Sequence, residues 1–168
     1  MDTKQGRLCR MIPIFLSLLL LLGSCGQNKQ SPDEILEVLT QAVGELPRGV
    51  IYRSRAEEGE ESYPPSAVLR AMYGESAEDL IRQCDFAIYL SSFAKPYEIA
   101  VLTAPSADHA RKIHALCLSR ADDLRVALTE TDFVSLADEI RIYRSGRTVI
   151  MGMTPNSDAF YSAVRRLD

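Results

Sequence analysis

Several features that mark common protein classes are missing from this sequence. Its longest apolar run, Met11 to Leu22, has twelve residues, whereas a helix that crosses a bilayer needs about 20. Basic residues are not in excess, since 19 Lys and Arg stand against 23 Asp and Glu, which argues against a nucleic-acid binder. A Gly-rich phosphate loop and the GxSxG and HExxH motifs are absent as well. These absences exclude a polytopic membrane protein and leave the chain without a known catalytic motif.

The composition that remains is that of an ordinary globular protein. Of its 168 residues, 46% are hydrophobic and 25% are charged. This balance excludes an acidic disordered tail and a fibrous protein. The length is suited to one domain.

The N-terminal segment has the three successive parts of a bacterial export signal. Lys4, Arg7 and Arg10 are positive, the apolar run follows, and Leu22-Gly23-Ser24-Cys25 comes directly after it. This last tetrapeptide resembles the bacterial lipobox, in which the cysteine receives a diacylglyceryl group and becomes the new N-terminus. A plain secretory signal with an incidental Cys25 is the alternative.

We therefore predict three segments and a location. Residues 1–24 are expected to be a lipoprotein signal peptide cleaved between Ser24 and Cys25, residues 25–31 a lipidated tether, and residues 32–168 a single globular domain. Two acyl chains give stable membrane anchoring where one does not. The predicted location is the outer face of the bacterial cytoplasmic membrane, held by lipid on Cys25.

Helix signals occur at several points of the predicted domain. Ser31 and Glu34 form a capping box around Pro32, and Gly44 ends the helix that follows. Further helices are predicted from Ser66 to Tyr73 and near residues 76–79. A long helix at about 107–128 follows a Ser106 cap, and a final helix follows Asn156. Residues 49–53 are a candidate short strand.

Two hairpins are indicated by alternating apolar residues. We predict that Leu90 lies opposite Tyr97 in the first, and that Arg144 lies opposite Arg147 in the second. The predicted fold class is α+β, with a four-stranded antiparallel sheet in the order β-β-α-β-β-α, helices on one face, and an N-terminal helical part.

Cysteine and histidine offer little chemistry in the predicted domain. Cys84 and Cys117 either form a disulfide, which an extracytoplasmic compartment permits, or pack as reduced core residues. His114 and Cys117 share one helix face and could form a nucleophilic pair or half of a metal site. With so few further ligands, a structural role for both is the simpler interpretation.

Two surfaces remain as candidate binding regions. Glu57, Glu58, Glu60 and Glu61 could hold Ca²⁺, but they lack the alternating ligands of a calcium loop, and a solvated loop is the alternative. The second face of the sheet is predicted to carry a contact surface for an envelope protein or peptide. That face could instead be solvated or covered by the N-terminal helices. Its predicted members are Tyr89, Glu98, Arg141 and Tyr143.

The order of short motifs resembles a known family. After the lipobox come a capped helix, Met72-Tyr73-Gly74, the strand Glu98-Ile99-Ala100-Val101, a long helix with arginine, and a strand after Ser145-Gly146-Arg147. This order is similar to the small bacterial lipoproteins grouped as domain of unknown function 4358. The resemblance implies the lipoprotein location and the fold class, and it transfers no activity or catalytic residue.

The sequence thus favours a non-enzymatic, membrane-anchored interaction or ligand-binding module without a cofactor or metal. The alternative is a cell-envelope enzyme that uses His114 and Cys117.

Overall fold

A computed structural model of the chain describes residues 30–91 and 95–167. We number the elements of this part in chain order. They are α1 (Pro32–Val43), β1 (Gly49–Arg53), α2 (Ser66–Tyr73), a 3₁₀ turn (Glu75–Ala77), α3 (Glu78–Arg82), β2 (Asp85–Ser91), β3 (Glu98–Thr103), α4 (Ala107–Leu128), α5 (Val134–Ala137), β4 (Arg141–Ser145), β5 (Thr148–Met153) and α6 (Ser157–Val164).

The strands form one antiparallel sheet in the order β1-β2-β3-β5-β4. The predicted α+β class and the β-β-α-β-β-α succession are confirmed, with the short α5 added before β4. The sheet has five strands instead of the predicted four, because the candidate strand at 49–53 pairs with β2 and forms an edge.

Helices cover both faces of this sheet, so the prediction of helices on one face needs correction. The first face packs against α2, α3, α4 and α5, and the second against α1 and α6. The physical reason is that the central strands β3 and β5 are buried almost throughout. Apolar side chains on both sides of a strand require cover on both sides.

The caps predicted at Ser31 and Ser106 are confirmed, whereas the short helix predicted near residues 76–79 has no side-chain cap. The Ser31 hydroxyl accepts a hydrogen bond from the backbone N–H of Glu34 over 3.3 Å, and the Glu34 carboxylate accepts from the N–H of Ser31 over 2.7 Å. Ser106 caps α4 by accepting from the N–H of His109 over 3.1 Å. Each contact satisfies a helix N-terminal donor that would otherwise lack a partner.

The predicted strand registers were wrong by different amounts. Leu90 pairs with Glu98 instead of Tyr97, and a one-residue shift turns every side chain of β3 to the opposite face. Arg144 pairs with Val149 instead of Arg147, and this two-residue shift leaves the facing unchanged. The turn of the second hairpin is consequently Gly146-Arg147, where Gly146 has a positive φ of 54°.

In the described ranges 30–91 and 95–167, none of the helices is both long and apolar enough to span a bilayer.

Candidate functional site

A buried ion pair lies on the first face of the sheet. Glu98 starts β3 and is 2% exposed, while Arg120 projects from α4. Arg120 Nη2 and Nε donate to the same carboxylate oxygen, Glu98 Oε2, over 2.9 and 3.3 Å. Arg120 thus satisfies only one of the two carboxylate oxygens.

The other oxygen, Glu98 Oε1, has no hydrogen-bond partner within the described part of the chain. A buried acceptor without a partner costs about 1–3 kcal/mol, and more when it is charged. Burial accordingly raises the pKa of Glu98, and the nearby Arg120 partly opposes that shift. Glu98 therefore keeps one buried acceptor that no described group satisfies.

The buried Tyr73 hydroxyl is the second polar group near this pair that lacks a partner among the described residues. Burial raises the pKa of Tyr73 well above its usual value, and the charge of Glu98 raises it further. The polar cluster under α2 and α4 therefore contains more hydrogen-bonding capacity than its own members use.

Glu98 and Arg120 line a cavity of about 810 Å³ between the sheet, α2 and α4. Small-molecule sites typically measure about 300–1,000 Å³ and combine an apolar lining with a few polar groups. This lining has that character. Its apolar members are Val50, Tyr52, Ala67, Val68, Ala71, Met72, Leu90, Pro96, Tyr97, Leu124 and Met153.

The charges in the cavity lining balance. Arg48 and Glu61, both exposed, add one charge of each sign to the Arg120–Glu98 pair. The four charged side chains of the lining therefore sum to no net charge. We call this cavity the Glu98 cavity.

A second cleft of about 620 Å³ is more polar. It includes Glu139, which is hydrogen-bonded to Arg141 over 3.0 Å and also accepts from Ser157. The buried Thr154 hydroxyl, which has no partner in the described ranges, lines it too. Its one ion pair in the described ranges joins Glu139 to Arg141, while Asp132 and Asp158, which also line the cleft, are exposed.

The four residues predicted to share a sheet face do not form one surface. Tyr89 is buried on the second face, where its hydroxyl donates to the Pro47 carbonyl over 2.6 Å. Tyr143 and Arg141 lie on that face at the edge strand β4, both half-buried. Glu98 lies on the opposite face because of the one-residue register difference. The second face is covered by the N-terminal helix α1, as one of the alternatives allowed, and also by the C-terminal helix α6, which that alternative did not include.

Cys117 and His114 are not arranged as a nucleophile and its base. Cys117 is fully buried, no hydrogen bond joins it to His114 among the described residues, and burial raises the pKa of its thiol to about 12. A nucleophilic thiol requires a lowered pKa. Cys84 is also buried, and both thiols are free instead of disulfide-bonded.

The acidic loop and the lipidation signal add no described site. Residues 57, 58, 60 and 61 are exposed, and no group of metal-ligating side chains occurs in the part of the chain that the structure describes. Ser24 and Cys25 lie outside the described residues, so cleavage and lipidation remain predictions.

Sequence reasoning missed Arg120 and Tyr73 as members of a site. A signal for Arg120 existed: it lies three residues after Cys117 and four before Leu124, on the side of α4 that faces the core. A charged residue at such a position needs a partner, and the buried Glu98 provides it. Tyr73 gave no comparable signal, because a tyrosine at a helix end is ordinary.

Comparison of the chain with protein-family models, with curated protein sequences and with solved structures gives no match. The resemblance to domain of unknown function 4358 therefore stays a prediction.

Proposed function

We propose that this chain is a lipid-anchored, extracytoplasmic protein that binds a small ligand in the Glu98 cavity without catalysing a reaction. Lipid on Cys25 would hold it at the outer face of the bacterial cytoplasmic membrane. The export signal and the lipobox-like tetrapeptide support the anchor. The family resemblance, to lipoproteins of domain of unknown function 4358, is part of the same proposal.

One observation carries the binding function: a cavity of about 810 Å³ combines a mostly apolar lining with the Glu98–Arg120 ion pair, which is the combination typical of small-molecule sites. The second cleft is smaller, at about 620 Å³, and its lining is more polar.

Methionine methyl NMR tests the binding site. Met72 and Met153 line the cavity, whereas Met151 is buried elsewhere in the same core. With the full chain in lipid nanodiscs, 1-hexanol should shift the Met72 and Met153 methyl signals and leave Met151 nearly unchanged. Empty nanodiscs provide the blank for partition into lipid.

A blocking variant provides the control for this titration. Ala71 is exposed on α2 and lines the cavity, so Ala71→Trp should fill it and abolish the shifts. Ala115 is exposed on α4 away from the cavity, and Ala115→Trp should leave them intact. Absence of shifts in the unmodified chain, or equal shifts in both tryptophan variants, would contradict binding in the Glu98 cavity.

Metabolic labelling with palmitate tests the anchor. Cys25→Ala should abolish labelling and leave the precursor uncleaved or the domain released, whereas Cys9→Ala, in the predicted leader, should label normally. Normal membrane fractionation of Cys25→Ala would disprove the anchor.

A further inference from the structure

We infer that the outer edge of β1 binds an extended, basic peptide segment of a partner protein, which adds to the five-stranded sheet as a further strand. Binding at this edge goes beyond the proposed function, because it does not involve the ligand of the Glu98 cavity.

The pairing of β1 with β2 fixes which backbone groups of β1 face outward. The N–H of Ser54, directly after the strand, donates to the Phe86 carbonyl over 3.0 Å. Hydrogen-bonded pairs alternate along an antiparallel ladder, so every second residue of β1 turns its N–H and C=O groups away from β2. These residues are Gly49, Ile51 and Arg53.

Only one end of this edge is occupied in the described part of the chain. The Arg53 N–H donates to the Ser62 carbonyl of the following loop over 2.9 Å, which confirms the outward direction. The outward N–H and C=O groups of Gly49 and Ile51 have no hydrogen-bond partner among the described residues. Gly49 is exposed and Ile51 is half-buried. Their backbone groups are therefore available to an added strand.

A groove of about 390 Å³ lies beside these groups. Four residues of β1, Gly49 and Ile51 among them, line one side of it, and residues 60–62 of the following loop line the other. Space for an added strand thus exists where the backbone groups are unpaired.

The opposite edge of the sheet, β4, is less suited to strand addition. The Ala104 N–H donates to the Arg147 carbonyl, and by the same alternation the outward residues of β4 are Ile142 and Arg144. Arg144 is exposed, and a charged side chain on an edge strand hinders pairing. The unpaired outward positions of β1 hold glycine and isoleucine, which give no such protection.

The added strand is expected to be basic because the loop side of the groove is acidic. Glu60 and Glu61 line it, are exposed, and form no ion pair with a described residue. Arg53 lines it as well but is already paired with Asp33 over 2.7 Å. Because the two glutamates are exposed, their attraction for lysine or arginine is modest and is screened by salt. The backbone bonds would hold the peptide, and the charges would select it.

A coumarin-labelled peptide, Lys-Val-Lys-Val-Lys-amide, tests binding at this edge. Its fluorescence anisotropy is measured as the full chain in phosphatidylcholine nanodiscs is added, with empty nanodiscs as the blank for adsorption to lipid. We expect a saturable rise with the chain and none with the blank. Absence of binding would overturn the inference.

Two alternately N-methylated forms of this peptide test the backbone pairing. An added strand turns every second N–H toward β1 and the others toward solvent. One form is methylated on both valines and the other on the second and third lysines. One of them should bind at least about tenfold more weakly than the parent peptide, and the other should stay within about threefold of it. Equal effects of the two would contradict strand addition.

Two proline variants locate the edge. Ile51→Pro removes an outward N–H without removing a bond to β2, so it should weaken binding at least about tenfold. Arg144→Pro makes the same change at the opposite edge and should leave binding intact. Ile51→Ala keeps the N–H and should weaken binding much less than Ile51→Pro. If Ile51→Pro does not fold, the methylated peptides decide.

The charge preference has its own control. Coumarin-labelled Glu-Val-Glu-Val-Glu-amide should bind the unmodified chain at least about threefold more weakly than the lysine peptide at low salt, and the gap should narrow as salt is added. Glu60→Gln/Glu61→Gln should remove the gap, whereas Glu57→Gln/Glu58→Gln, in the same loop but outside the groove lining, should keep it. Equal affinities for the unmodified chain would contradict a basic partner.

A second copy of the chain is the other possible occupant of this edge. If the chain forms a dimer that Ile51→Pro disrupts, and the peptide does not bind, the edge accepts a second copy and the peptide partner is wrong. The Met72 and Met153 methyl shifts with 1-hexanol are measured separately, so either result leaves the test of the Glu98 cavity unaffected.

Discussion

Arg120 of α4 donates to the carboxylate of Glu98 of β3 over 2.9 Å, and the two side chains differ in exposure, at 18% and 2%. The more deeply buried partner carries the greater desolvation cost. Loss of Arg120 therefore leaves the deeply buried Glu98 carboxylate unpaired. Loss of Glu98 leaves the Arg120 guanidinium unpaired, but that group lies nearer to water.

Replacing Arg120 should be the more damaging change. Arg120→Met is expected to lower the free energy of unfolding by about 3 kcal/mol at neutral pH, because it leaves the Glu98 charge buried and unpaired. Glu98→Gln should cost less. Denaturant unfolding of both variants measures the difference, and a smaller loss in Arg120→Met would contradict it.

The loss in Arg120→Met should also depend on pH. Burial raises the folded-state pKa of Glu98 above 4.5, its ordinary value, so its ionisation costs stability as the pH rises through and above that value. The deficit should shrink as the pH falls toward 4.5, where Glu98 takes up a proton. The double variant Arg120→Met/Glu98→Gln, which has neither charge, should show no such shrinkage.

A second carboxylate should have the opposite pH dependence. Glu78 at the start of α3 accepts from Ser66 over 2.5 Å, and from Arg82 and Arg70 over 2.8 Å each. These hydrogen bonds lower the pKa of Glu78 from 4.5 to about 2. The bond from the Ser66 hydroxyl has the largest effect, and those from the two arginines add to it. The contribution of Glu78 to stability is present above 4.5 and is lost as the pH falls toward 2.

Glu78→Gln should therefore lower the Tm at neutral pH and leave it nearly unchanged at pH 2. Glu75→Gln, one turn earlier and without a hydrogen bond to its side chain in the described ranges, is the matched control. A Tm difference for Glu78→Gln that does not vary with pH would rule out the charge as its cause.

Gly152 of β5 leaves room for the ring of Phe160 on α6. A Cβ at position 152 would overlap this ring, and overpacking of this kind costs about 1–3 kcal/mol. Gly152→Ala should be destabilising by that amount in denaturant unfolding. Phe160→Leu makes space for the new methyl group, so the double variant should lose less than the two single losses combined. If the stability losses of the two single variants are strictly additive in the double variant, the Phe160 ring does not restrict the side chain at position 152.

Both buried thiols should be unreactive in the folded protein. Burial raises the pKa of Cys84 and of Cys117 to about 12, and the thiolate is the reactive form. Iodoacetamide at neutral pH should modify neither thiol until denaturant is added, after which both should react without prior reduction. Rapid modification of Cys117 in the folded chain would reopen the enzyme interpretation.

The accuracy of the sequence predictions follows from how local each signal is. Ser31 and Glu34 cap α1 and Ser106 caps α4, each within one helical turn, so these caps were predictable. The bounds of α2 and α4 were predictable as well. The register of β2 and β3 was not, because Glu98-Ile99-Ala100-Val101-Leu102 is buried on both faces. Without polar residues on one side, alternation does not specify which residues point where.

The candidate site was missed for a related reason. Glu98 was assigned to the second face because the predicted register placed Leu90 opposite Tyr97 instead of Glu98. Its partner Arg120 lies 22 positions away in sequence. The two side chains come into contact only when β3 and α4 pack together. The cavity above them likewise exists only between elements from distant parts of the chain.

The sequence by itself determined the ends of α1, α2 and α4 and the antiparallel α+β class, because each depends on neighbouring residues or on composition. The export signal stays a prediction. Tertiary structure decided the fifth strand, the cover of both sheet faces and the burial of Glu98 against Arg120. These features depend on the free energy of packing side chains that are far apart in the chain, and a local pattern carries no information about which distant surface will cover it.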